Sequence, residues 1–122
     1  MKVLFGISTG SDSLEALHRT VERARDVGDE LTVAVLEHPD DEGPIDEFEQ
    51  SVREAITEEL PAIDLRRVEG HPGSRLVELA ESENFDRIVL GGGEQSPMGK
   101  IRIGSIAEFV LLNSHVSVTL LR

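Results

Sequence analysis

DRIVLGGGEQSPMGKIRIGSIAEFVLLNSHVSVTLL, residues 86–121, decides the fold. DRIVLG (86–91) is a compact apolar run of strand length, and it leads into three glycines. A polar loop follows, and Gly104-Ser105 opens SIAEFVLLN, which reads as a helix from Ser105 to Asn113. VSVTLL (116–121) then returns to a β-rich pattern. A strand, a helix and a second strand in that order predict a parallel pair joined by a right-handed crossover.

The same alternation runs upstream. KVLFGI (2–7) reads as a buried first strand, and from Ser11 a helix follows, with Leu14, Leu17, Val21 and Ala24 at three-four spacing. Ser11 or Asp12 is its candidate cap. ELTVAVLE (30–37) is apolar enough for a strand covered on both faces, and HPDDEGP (38–44) is a loop. Ile45, Phe48, Val52, Ile56 and Leu60 mark a second helix, stopped by Pro61. IDLRRVEG (63–70) is a weaker strand, polar enough for a sheet edge, and His71-Pro72-Gly73 turns into the helix SRLVELAESEN, burying Leu76, Leu79 and Ala80. The order βαβαβαβαβ predicts one α/β domain over residues 1–122, a parallel sheet with helices on both faces.

Composition narrows the partners. Twenty-four acidic residues against 12 basic ones leave a net charge of −12, which repels nucleic acids and anionic membranes. No segment reaches the length of an apolar membrane span, and the N-terminus reads as a strand and not as a signal peptide, so a cytoplasmic protein is expected. Cysteine is absent, and the four histidines have no metal-ligand spacing, so no metal site is expected. Ten arginines accompany only Lys2 and Lys100. Abundant carboxylates with so little lysine point to a high-salt cytoplasm, that of a halophilic archaeon, where screening relieves self-repulsion. An ordinary acidic protein is the alternative.

In an open α/β sheet, ligands bind outside the carboxyl ends of the strands, where the strand order reverses. Glycine clusters in the loop after the fourth predicted strand. Gly91, Gly92 and Gly93 allow backbone N–H groups close to an anion, and Gly104 and Ser105 set a helix start at the same edge. Lys100 or Arg102 would neutralise charge from the rim. Equally, the glycines form a tight turn and Ser105 only caps its helix. A P-loop is excluded, because five residues separate Gly93 from Gly99-Lys100 and Ile101 follows. The dinucleotide pattern also fails, since Ser96 stands where its last glycine belongs.

With these residues in place, the chain resembles the universal stress proteins. Their loop runs Gly, two residues, Gly, nine residues, Gly, then Ser or Thr; here Gly91, Gly104 and Ser105 match, and Glu94 replaces the second glycine. The resemblance spans the chain, from SDSLEAL and ELTVAVLE through GHPGSRLVELAESENFDRIVLGG to GSIAEFVLLNSHVSVTLLR. It implies a doubly wound, Rossmann-like domain with five parallel strands in the order 3-2-1-4-5. It further implies ATP with Mg, or another adenine nucleotide, along the glycine loop. The position that contacts the nucleoside is usually Asp and falls on Ser8, and the backbone contact to the base falls near Leu36. Gly93 is placed to take over the role of the replaced glycine. Glu94 adds a side chain and a negative charge where phosphate is expected, and Ser8 is a weaker acceptor for a sugar hydroxyl.

Two functions follow. In the first, a regulatory stress protein binds an adenine nucleotide at residues 91–105. In the second, the site stays empty and the protein works through dimerisation and protein contacts; Glu94 and Ser8 favour it. Many family members dimerise through the last strand, here 116–121, and an exposed edge strand invites such pairing. An enzyme is not expected, because no nucleophile has a neighbouring base; His38 and His71 read as loop residues.

Overall fold

The computed structural model describes residues 1–8, 13–36, 45–59, 62–91, 94–95, 101–102 and 104–121. Five strands form one parallel sheet: β1 (Lys2–Ile7), β2 (Glu30–Leu36), β3 (Asp64–Val68), β4 (Arg87–Gly91) and β7 (Ser117–Leu121). Their order is β3-β2-β1-β4-β7, the predicted 3-2-1-4-5 arrangement. Two further strands, β5 (Glu94–Gln95) and β6 (Ile101–Arg102), pair antiparallel inside the glycine loop, which the sequence reading left without structure.

Helices α1 (Ser13–Val27), α2 (Ile45–Ala55), α3 (Pro72–Ser82) and α4 (Ser105–Asn113) cover the sheet. Alternation along each strand divides the core in two. Val3, Phe5, Ile7, Val33, Val35 and Val89 face α1 and α2, packing on Leu17, Val21 and Val52. Leu4, Ala34, Leu36, Ile88 and Leu90 face α3 and α4, packing on Leu76, Ala80 and Val110. β1, β2 and β4 are buried on both faces, which is why their sequences are nearly continuous apolar runs.

Three expectations shift. The Ser11 and Asp12 caps lie outside the described residues, and Leu14 is exposed, because Ala16 and Thr20 complete the buried stripe of α1. The second helix ends at Ala55 and tightens into a 3₁₀ turn over Thr57–Glu59. Ile56 N–H donates to Arg53 O, three residues back, and Thr57 Oγ1 donates to the same carbonyl at 2.9 Å. The third helix starts earlier than SRLVEL, at Pro72, a favoured first helical residue. It ends with Asn84 at φ 57°, where Phe85 N–H returns to Ala80 O and Asn84 N–H to Glu81 O.

The two edges differ chemically. On β3, Arg66 donates to Asp64 and to Glu83, and Arg67 pairs with Asp46. The Arg66 hydrogen bond holds the Glu83 carboxyl below the ordinary carboxylate range, so this pair persists at neutral pH and is lost as acid protonates Glu83. β7, SVTLL, carries no charged residue. No described helix is long and apolar enough to cross a membrane.

Candidate functional site

Register fixes what meets at the carboxyl edge. Ile7 pairs with Val35 and Gly6 with Leu90. One step on, Ser8 stands level with Leu36 on β2, and Gly91 lies level with Ile7 on β4. Neighbouring strands are about 4.8 Å apart, so Ser8, Leu36 and Gly91 share one short stretch of edge. The chain runs from β1 outward to β2 and β3, then returns to build β4 and β7 on the other side. The strand order therefore reverses between β1 and β4, the crevice where such folds take ligands.

Each residue has a distinct role available. Leu36 is 1% exposed, its side chain committed to the core. Ser8 is half-buried and Gly91 exposed. Gly104 is the N-cap of α4, with φ −66° and ψ 160°, and being glycine it offers no capping side chain. The first amides of α4 lack intrahelical partners, as at every helix start, and carry the positive end of its dipole. A Cβ built at Gly104 meets no described atom within 4 Å.

α3 begins beside α4 but is capped differently. His71 Nδ1 accepts from Ser74 N–H at 3.1 Å, so the loop histidine has a structural task as the cap of α3. Its ring packs on Phe109 with centroids 5.0 Å apart. Gly73 lets the helices meet: a Cβ there would lie 2.8 Å from Phe109 Cδ1. This contact sets where the α4 N-terminus stands relative to the sheet.

Inside the loop, Glu94 pairs across the β5–β6 ladder with Arg102, and Gln95 with Ile101. The acidic departure from the glycine pattern is thus a ladder position in register with Arg102. Gly93, Lys100 and His38 lie outside the described residues. Among the described residues, no group of three His, Asp or Glu side chains is placed to hold a metal ion.

Comparison with known proteins agrees with this geometry. The sequence model described as "Universal stress protein family" matches residues 1–122. A universal stress protein of Methanocaldococcus jannaschii is 35% identical over 60 residues, 49% of this chain and 35% of that one. The match therefore spans about a third of that curated relative's length. A universal stress protein from Archaeoglobus fulgidus superposes with a TM-score of 0.77 at 24% identity, covering 100% of this chain and 98% of the other. A universal stress protein solved in complex with cAMP gives 0.74 at 26% identity, covering 99% and 95%. With the strand order and the whole-length match in agreement, this chain belongs to the universal stress protein family.

Proposed function

We propose that the chain is a regulatory module that binds an adenine nucleotide in the crevice between β1 and β4 and catalyses no reaction. Gly104 carries this reading. Its φ suits any residue, no described atom crowds its Cβ, and a serine would cap α4 better. Nothing in the described packing asks for glycine there, whereas close approach of a phosphate to the α4 amides does. The relative solved with cAMP supports the choice of nucleotide.

In this reading the phosphate sits on the amides of Gly104 and Ser105, with Gly91 beside it. Ser8 accepts from a ribose hydroxyl, and the Leu36 backbone meets the base. Glu94 acts against the phosphate: a carboxylate about 5 Å away costs on the order of 1 kcal/mol. That repulsion grows with phosphate charge, so AMP or cAMP is a better ligand than metal-free ATP.

The test is thermal unfolding in molar KCl, matching the high-salt cytoplasm that the acidic composition suggests. AMP at a hundred times its Kd is expected to add about 2.7 kcal/mol of stability. Glu94→Gly is expected to tighten binding about fivefold, the equivalent of that ~1 kcal/mol. Gly104→Ser is expected to stabilise the free protein by about 0.5 kcal/mol while weakening AMP. Absence of a shift with AMP, cAMP and MgATP alike would reject nucleotide binding and leave the second reading, favoured by Glu94 and Ser8, in which the empty fold works through protein contacts.

We further propose a homodimer through β7. The ion pairs along β3 discourage strand addition there, while uncharged β7 leaves its outer backbone groups available. Sedimentation at micromolar concentration is expected to give twice the 13.4 kDa chain mass; a monomer contradicts the proposal.

A further inference from the structure

Between α1 and the β4–β7 half of the sheet runs an open groove of about 570 Å³. Val3, Val89 and Leu121 supply an apolar floor. Arg87 lies on the same sheet face as Val89, two residues before it. Its Nε is buried, and among the described residues it is the one buried side-chain nitrogen or oxygen without a hydrogen-bond partner. A donor withdrawn from water with no acceptor is costly, and a charged one more so. Such an atom needs an explanation, and a small turn of the guanidinium toward the groove would give it an acceptor.

The orphan stands out because carboxylates outnumber basic residues two to one in this chain. Those lining the groove do not serve it. Asp29 pairs with the Met1 amino group at 3.2 Å. Glu22 and Asp26 stand on the α1 wall, the same helix that brings Arg19 and Arg23 to the groove. Among the described residues, Arg19, Arg23 and Arg87 line the groove together with Glu22 and Asp26.

We propose that this groove binds a monoanionic organic carboxylate. The carboxylate accepts from the Arg87 guanidinium, whose planar fork matches it. The apolar body lies on Val3, Val89 and Leu121. Glu22 and Asp26 oppose a dianion, which selects a carboxylate over a phosphate. The site is separate from the nucleotide crevice. Arg87 opens β4 and Gly91 closes it, and four residues of strand put about 13 Å between them.

The test is a titration followed by the Arg87 Nε–H resonance in a ¹⁵N NMR spectrum, assigned by its absence from Arg87→Lys. Hexanoate is the probe, with acetate, hexanol and inorganic phosphate as comparisons at matched ionic strength. Hexanoate is expected to displace the resonance saturably, with each comparison compound at least about tenfold weaker, the loss of one good charged or apolar contact set. Arg87→Met, which keeps the apolar stem, is expected to lose hexanoate binding and to keep its response to AMP. If that variant fails to fold, Arg87→Lys keeps the charge without the fork and is expected to bind about tenfold more weakly, read from backbone amides of Val89 and Leu121. No saturable displacement, equal binding of hexanol, phosphate binding as tight as hexanoate, or a crystal grown with hexanoate showing only water on Arg87 Nε would overturn the proposal.

Discussion

Phe5→Ala is expected to lower the unfolding free energy by about 3–5 kcal/mol. Phe5 is fully buried in the middle strand of the sheet, between Val33 on β2 and Val89 on β4. It belongs to the cluster that α1 and α2 close with Leu17, Val21 and Val52. Truncation loses the ring's burial and leaves a cavity that a central strand, hydrogen-bonded on both sides, cannot collapse to fill. Domains of this size are held by about 5–15 kcal/mol in total, so the variant loses a large share of its margin. Urea denaturation measures this as a lower midpoint with an unchanged slope. A loss of less than about 1 kcal/mol would mean that the ring is not the core residue described.

Gly6→Val is expected to destabilise by about 1–3 kcal/mol or more, through crowding instead of a void. A Cβ at Gly6 would stand 2.8 Å from Leu76 Cδ2, 2.9 Å from Leu90 Cδ2 and 3.3 Å from Leu36 Cδ1. All three leucines are buried, so none can swing into solvent. The glycine is what lets α3 settle on the sheet. The effect reaches the site, because Leu36 ends β2 and Leu90 immediately precedes Gly91. Gly6→Val is therefore expected to weaken AMP binding as well as stability. Phe5→Ala, acting on the opposite face, is expected to reduce stability with much less effect on affinity. A Gly6→Val protein as stable as the original would show that the leucines relax freely.

The difference between these two glycine positions, 6 and 104, indicates what a sequence can disclose. Both are single letters in longer patterns. Only the packing separates a glycine forced by three leucines from one that nothing described requires. The central strands were readable because β1, β2 and β4 are covered on both sides and so written as apolar runs. α4 was readable at both ends, Ser105 and Asn113, because polar residues bracket its apolar stretch. The end of α2 was not, since Ile56 keeps the helical period while the backbone has already tightened. β5 and β6 are two residues each, too short to carry a period.

The site divides along the same line. Ser8, Leu36, Gly91, Gly104 and Ser105 come to one edge because each stands at or beyond the carboxyl end of a parallel strand, in the strand order that the family resemblance implies. His71 as a cap of α3 was missed, although a polar residue directly before Pro at a helix start is a usable signal. Arg87 was passed over as part of an apolar strand. Its neighbours Val3, Thr119 and α1 are brought to it by folding, from positions far away in the chain. A lone arginine inside DRIVLG was the available hint.

Backbone amide NMR during an AMP titration in molar KCl tests the central claim most directly. Saturable displacement confined to Ser8, Leu36, Gly91 and the Gly104–Ile106 start of α4 is the predicted result. Unmoved amides along that edge at saturating AMP, or displacement centred elsewhere in the fold, would contradict it.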